Sequence, residues 1–306
     1  MKKKLMMLVV TVMSMWLMAC SMESPVDNGD RADGDSDELV VGFSISTLNN
    51  PFFVTLQEGA EAKADELGIE LITVDAQDDD AKQVNDVEDL IQRGVDIILI
   101  NPTDSSSVVS AVESSNAANI PVITVDRGSD GGEITAHIAS DNVAGGEMAA
   151  ELLVELVGEG AQVAELEGLP GSSAARERGE GFNNVAADEL DVVTAQSANF
   201  NRAEGLSVME NILQSNPDIV GVFAHNDEMA LGALEAAVAA GRDDLVIVGF
   251  DATDDAVAEV NAGRLAGTVA QQPILIGEEA IEAAMSLFNG EDIEEFIPVE
   301  LDLIRD

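Results

Sequence analysis

Ser46-Thr47-Leu48-Asn49-Asn50-Pro51-Phe52-Phe53 lies between an apolar run, Leu39-Val40-Val41-Gly42-Phe43-Ser44-Ile45, and a stretch from Val54 to Leu67 that has helical spacing and stops at Gly68. The run before it reads as a buried strand, so the octet is a strand-to-helix turn at the carboxyl end of the first strand. In open α/β sheets that edge is where ligands bind. Asn50 offers a donor and an acceptor, and Phe52 and Phe53 set two flat apolar faces beside it. Amides next to aromatic rings suit a ligand with hydroxyls around its rim and C–H bonds on its faces, as in a sugar. A plainer reading competes: Asn49 or Asn50 caps a helix, Pro51 takes its first position, and the two Phe belong to the core. Taken alone, the octet favours the plainer reading, and the rest of the chain reverses the balance.

Outward from this turn the pattern alternates. Strands are expected at 39–45, 69–74, 95–100, 120–125, 134–139, 162–166, 191–195, 219–224, 245–250, 266–270 and 296–303. Helices fill most gaps, including 80–93, 104–118, 142–157, 174–187, 202–214, 227–240 and 274–289. Such alternation implies α/β architecture, with parallel sheets covered by helices on both faces. Eleven strands are many for one sheet of this kind, so two lobes divided near Ser140-Asp141 are expected.

Polar residues recur just past the strand ends. Asn101 follows Ile97-Ile98-Leu99-Ile100, and Asp126 and Arg127 follow Val122-Ile123-Thr124-Val125. His225 and Asn226 follow Val220 to Ala224, Asp251 follows Val246 to Phe250, and Gln271 follows Gly267 to Ala270. Each alone is ordinary, since Asp and Asn often cap the next helix. Together they place groups able to make paired contacts to neighbouring hydroxyls where two lobes would converge on one cleft.

Composition bounds the function. Formal net charge is −45, with one cysteine, Cys20, and no Tyr. Lys2-Lys3-Lys4, an apolar stretch from Leu5 to Met18 and Ala19-Cys20 read as a secretion signal over 1–20, similar to the bacterial lipoprotein pattern, although Met18 departs from it. Cys20 is then the expected lipidation site; an ordinary cleaved signal is the alternative. Loss of 1–19 removes three Lys and takes the charge to −48, leaving Lys63 and Lys82 as the lysines. Such a surface repels nucleic acid and looks like that of a halophile's proteins. Ser21 to Glu38, rich in Asp, Gly and Ser, reads as an acidic flexible tether. The stretch beginning Asp33-Gly34-Asp35-Ser36-Asp37 lacks the Gly at the sixth place and the Glu at the twelfth that a calcium loop needs.

Seven segments together resemble the bacterial periplasmic ribose-binding proteins, the ribose branch of the type I sugar-binding proteins of ABC transporters. They are Ser46 to Phe53, Ile100 to Ser105, Ile120 to Arg127, His137 to Val143, Ser173 to Phe182, Asn226 to Leu234 and Val248 to Asp251. The resemblance runs from about Leu39 to the C-terminus. It implies two doubly wound parallel-sheet lobes joined by a three-crossing hinge, with crossings near Ser140-Asp141, Gln271-Gln272 and Val299. The N-terminal lobe would be 39–140 plus 272–299, and the C-terminal lobe 141–271 plus 300–306. Carried over position by position, the sugar contacts fall on Asn50, Phe52, Phe53, Asn101, Asp126, Arg127, Arg178, Phe200, Asn226, Asp251 and Gln271. The chain is one residue shorter before Phe200, and His225 stands where Gln is commoner. The implied function is capture of D-ribose, without a cofactor, by a monomer that delivers it to an inner-membrane ABC permease, with a chemoreceptor as a second candidate partner. The implied location is the periplasm or cell surface. The alternatives are another monosaccharide such as allose or galactose, or a ligand carrier for a chemoreceptor without transport.

Rival classes fare worse. The chain has no Gly-x-Ser-x-Gly elbow, no phosphate loop ending in Gly-Lys-Ser/Thr and no His-Glu-x-x-His, so no enzyme is expected. Gly158-Glu159-Gly160 precedes a strand instead of following one, and His137 and His225 are too few and too far apart for a zinc site. Glu177, between Arg176 and Arg178, reads as a salt-bridged helix start. A repressor of this fold would need a basic helix-turn-helix where the acidic tether lies.

Overall fold

The computed structural model describes residues 38–305. The signal, Cys20 and all of the tether but Glu38 lie outside the described residues. Among those described are twelve strands and nine helices. The strands are β1 Val40–Ile45, β2 Glu70–Asp75, β3 Ile97–Ile100, β4 Val122–Val125, β5 Ala136–Ser140, β6 Gln162–Glu167, β7 Asp191–Ser197, β8 Gly221–Ala224, β9 Val246–Asp251, β10 Gly267–Ala270, β11 Phe296–Val299 and β12 Asp302–Arg305. The helices are α1 Pro51–Leu67, α2 Asp80–Arg93, α3 Val109–Ala117, α4 Asn142–Val157, α5 Ser173–Glu189, α6 Arg202–Ser215, α7 Asp227–Ala239, α8 Asp254–Asn261 and α9 Pro273–Phe288.

The strands form two six-stranded sheets, in the orders β11-β5-β4-β3-β1-β2 and β12-β10-β9-β8-β6-β7. All pairings are parallel except that of β12 with β10. Central strands are buried along their whole length, as parallel strands covered on both faces must be. The two-residue period of the pleat shows in β3: Ile97 and Leu99 join the core on one face, Ile98 and Ile100 the core on the other. The chain passes from the first sheet to the second between β5 and α4, returns between β10 and α9, and passes over again between β11 and β12.

Two expectations need correction. The single strand at 296–303 is two strands in different sheets, broken at Glu300-Leu301. Its apolar alternation through Ile297, Val299, Leu301 and Leu303 continues across the break, so periodicity does not reveal it. Pro298 is tolerated because β11 is an edge strand. The helix expected at 104–118 begins only at Val109; before it, Asp104 Oδ1 accepts the amides of Ser106 (2.9 Å) and Ser107 (2.7 Å) and holds a turn. Helix α8 had no expectation behind it, since its buried face is only Ala256 and Val260.

Helices pair through glycines. A Cβ on Gly59 of α1 would lie 2.3 Å from Ile274 O of α9, and one on Gly277 of α9 would lie 2.2 Å from Leu56 O. Gly146 of α4 and Gly181 of α5 meet the same way, at 2.2 Å from Arg178 O and 1.9 Å from Val143 O. In the α6–α7 pair Gly232 would meet Arg202 O at 2.2 Å. These helices therefore pack backbone to backbone. Gly181→Ala is expected to lower unfolding stability by about 1–3 kcal/mol, the usual cost of overpacking, in a denaturant titration. An unchanged midpoint would show that the α4–α5 crossing has room to spare.

Candidate functional site: a cleft between the two sheets

Asn50 is the N-cap of α1, its Oδ1 accepting the Phe52 amide at 3.0 Å, and Pro51 occupies the first helical position. The same turn also lines a small space between the two sheets. Capping and cleft-lining are therefore both true of Asn50, and Phe52 and Phe53 lie in the first helical turn with rings edge to face at 5.2 Å.

Of the eleven residues singled out by sequence, ten line this space: Asn50, Phe52, Phe53, Asp126, Arg127, Arg178, Phe200, Asn226, Asp251 and Gln271. Asn101 stands one layer behind, fully buried, accepting the Ser46 amide (3.1 Å) and donating to Val125 O (2.9 Å) and, at the long distance of 3.5 Å, to Asp126 Oδ2. It ties the ends of β1 and β4 together beneath Asp126. Ala174, in the first turn of α5, also lines the space, although nothing in its type marks it.

Two guanidiniums and two carboxylates are buried together here. Arg127 Cζ lies 4.9 Å from the Phe53 ring and 5.3 Å from the Phe200 ring, so the two halves of the molecule meet around one cation. Arg178 Cζ sits 3.8 Å over Phe250; its Nε donates to Asn142 Oδ1 (2.9 Å) and its Nη1 to His225 O (2.6 Å). Arg127 Nε is 3.8 Å from Asp126, and Arg178 Nη1 is 3.6 Å from Asp251. Burial pushes the Asp126 and Asp251 carboxyls up and the two arginines down, while each opposite charge pulls back. With two charges of each sign, the space is formally neutral inside a strongly acidic chain, which suits a neutral ligand. Among the described residues, the buried Arg127 Nε and Gln271 Oε1 have no hydrogen-bond partner. One is a donor and the other an acceptor, and a hydroxyl-bearing ligand can satisfy both.

The backbone is strained at this site. Asp126 (φ 63°), Phe200 (φ 58°), Asp251 (φ 119°) and Ala252 (φ 56°) are non-glycine residues with positive φ. A supporting layer surrounds them. The Phe200 ring lies against Gly168, where a Cβ would come within 2.1 Å of it. Gly168 is held by its amide donating to His225 Nδ1 (3.3 Å) and by Ser197 Oγ donating to its carbonyl (2.7 Å). His225 therefore lies in the core, not on the cleft wall; its Nε2 faces Glu165 at 2.8 Å. Glu177 is not a salt-bridged helix start: it accepts from Asn142 Nδ2 (3.1 Å), Arg176 pairs with Asp130 (2.8 Å), and Arg178 turns inward. Asn142, Gly168 and Phe250 escape sequence reasoning because their roles are to contact other residues. Among the described residues no cluster of His, Cys, Asp or Glu is placed to hold a metal.

The cleft is closed. Ser105 N donates to Gly171 O (2.9 Å), Ser173 N to Ser105 Oγ (3.1 Å) and Gly128 N to Ser173 Oγ (2.8 Å), all between the two halves. A wider opening shares Asn50, Phe53, Arg127 and Phe200 with the small space and forms its mouth. The chemistry lies in the smaller one, where the desolvated charges are.

Behind Asp251, burial pushes the fully buried Asp227 carboxyl up to about 7 from 3.8, against hydrogen bonds from Thr268 and Thr253. A raised acid favours the fold in its neutral form. Its contribution is complete below about 4 and is lost as pH rises through about 7. The melting temperature of the unliganded protein should therefore be higher at pH 5 than at pH 8, and the difference should shrink in Asp227→Asn. A melting temperature that rises over that range in both proteins would contradict this assignment.

The geometry can be compared with known proteins. A family model described as "Periplasmic binding protein domain" matches residues 41–292. The chain is 54% identical over 301 residues to the ribose import binding protein RbsB of Bacillus subtilis, covering 98% of each chain. It is 51% identical over 265 residues to RbsB of Escherichia coli, covering 86% of this chain and 90% of that one. Among solved structures, an ABC transporter solute-binding protein of Bacillus halodurans with bound myo-inositol superimposes with TM-score 0.84 at 36% identity, covering 89% of this chain and 96% of that one. A two-sheet α/β fold, a closed polar cleft at the strand ends and these likenesses agree: the chain belongs to the periplasmic binding protein domain family of ABC-transporter solute-binding proteins.

Proposed function

We propose that this protein binds D-ribose in the cleft between its two sheets and delivers it to an ABC permease in the membrane. One observation carries the reading: a formally neutral, desolvated space whose walls are rings and whose rim is amide, carboxylate and guanidinium groups. Phe52, Phe53 and Phe200 would cover the faces of the sugar ring. Asn50, Asp126, Arg127, Arg178, Asn226, Asp251 and Gln271 would share its hydroxyls, with Asn101 holding Asp126 from behind. A site that pairs each hydroxyl discriminates among sugars, because an analogue missing one leaves a buried group unpaired. The relatives named above as ribose import binding proteins support ribose in particular. The lobes, 39–140 with 272–299 and 141–271 with the tail, would move as bodies about the three crossings, so that binding and closure are one event.

The family is extracytoplasmic. We propose further that Cys20 carries a lipid that holds the domain at the membrane by the acidic segment 21–38. Labelling cells with a radioactive fatty acid should tag the wild type and leave Cys20→Ser untagged; equal lack of label in both would exclude the anchor.

Calorimetry against pentoses and hexoses tests the ligand. One D-ribose should bind per chain, with weaker binding of allose, galactose and inositol. At a hundredfold excess over Kd the sugar should stabilise the fold by about 2.7 kcal/mol. Arg178→Ala should cost about 2–5 kcal/mol of binding, as for other desolvated charged contacts. Heat traces that stay flat with every sugar would defeat the reading; a hexose binding more tightly than ribose would reassign the substrate.

A further inference from the structure

Asn226 and Asp227 open helix α7 and face opposite ways. Asn226 is its N-cap, accepting the Met229 amide at 3.0 Å, and lines the cleft. The helix start is thus capped without Asp227. An acidic residue in the first turn ordinarily stays in solvent, where it complements the helix dipole. Asp227 is instead completely buried and touches neither the cleft nor its mouth. Gly249 makes room for it: a Cβ there would lie 2.3 Å from Asp227 Oδ1.

A buried carboxylate is costly unless it is well bonded, so its partners show its purpose. Oδ2 accepts the Thr253 amide (2.7 Å) and the Thr253 hydroxyl (3.2 Å). Oδ1 accepts the Thr268 hydroxyl at 2.7 Å, and that hydroxyl oxygen in turn accepts the Ala252 amide at 3.2 Å. The amides of both residues after Asp251 are therefore bound, directly or through one hydroxyl, to this one side chain. Those are the residues around the paired positive-φ positions, Asp251 at 119° and Ala252 at 56°. Two consecutive residues in this region persist only where the surroundings hold them. The turn sets where the Asp251 carboxylate stands, accepting from Gln271 Nε2 at 2.9 Å and 3.6 Å from Arg178.

We propose that Asp227 is a positioning residue for the cleft: with Thr268 as relay it clamps the strained Asp251–Ala252 turn and so aims the Asp251 carboxylate at the ligand. The proposal rests on the ribose reading for its ligand, and it treats Asp227 as acting through Asp251, not through general stability.

A double-mutant cycle separates those two roles. Kd for D-ribose is measured by calorimetry, at a temperature where every variant is folded by circular dichroism, for wild type, Asp227→Asn, Asp251→Asn and the double variant. Asp227→Asn should weaken binding about tenfold, and the double variant should bind within about twofold of Asp251→Asn alone, because the clamp has nothing left to aim. Losses that multiply would overturn the proposal. If Asp227→Asn does not fold, the relay carries the test: Thr268→Val, which deletes the hydroxyl, should weaken binding about tenfold, and Thr268→Ser, which keeps it, should restore binding to within about twofold. Equal binding by the two Thr268 variants would overturn it. Amide hydrogen exchange of the unliganded protein reads the clamp without sugar. The Ala252 and Thr253 amides should exchange at least tenfold faster in Asp227→Asn or Thr268→Val than in wild type, relative to amides of α4. If wild type binds no D-ribose, the functional reading falls and exchange alone decides the clamp; unchanged exchange overturns it.

Discussion

Four charged side chains, Arg127, Arg178, Asp126 and Asp251, are taken out of water together in one small space, and most of the surrounding structure answers to that cost. Neither arginine is in a short ion pair with its acid; the separations are 3.8 and 3.6 Å. Compensation comes from elsewhere. Phe53, Phe200 and Phe250 stack on the cations, and Asn142 and the His225 carbonyl take Arg178 donors. Gln271 and Asn101 donate to the acids. A set satisfied this way is kept at fixed positions while leaving hydrogen-bonding capacity unspent, which is what recognition of a polar, uncharged molecule requires.

Holding side chains so tightly costs backbone strain. Residues at the ends of β4 and β9 and before α6 take positive φ without being glycine. Each is backed by a specific neighbour: Asn101 behind Asp126, Gly168 beneath Phe200, and the Asp227–Thr268 pair behind Asp251 and Ala252. The strain therefore marks the same residues as the burial of charge, and the two share one support.

Closure divides its energy between two sources. Hydrogen bonds of Ser105 and Gly128 with Gly171 and Ser173 join the two halves without passing through the cleft. The Phe53–Arg127–Phe200 stack joins them inside it. A ligand can shift the open–closed balance only by contacts made in one state and not in the other, so the residues of both halves that line the space are the ones able to couple binding to closure.

Alternation of apolar runs and helical stretches was enough to determine an α/β fold with parallel sheets, because each local period reports how many faces of an element are buried. The octet at Ser46 to Phe53 was legible for a similar reason: a cap, a Pro and two rings at a strand end are local chemistry. The structure brings ten of the eleven residues named from sequence to one space, yet sequence did not reveal which stand in front and which behind. Asn101 has the same residue type as Asn50 and Asn226, and only its place at the end of β3, bonded to the ends of β1 and β4 on either side, puts it in the second layer. The split of 296–303 between two sheets, the inward turn of Asp227 and the core position of His225 were likewise decided by tertiary structure. Sequence determines what each residue can bond and bury in its own turn or strand. Which partner it meets across the fold depends on contacts between residues far apart in the chain, and those exist only once the two sheets and their crossings have formed.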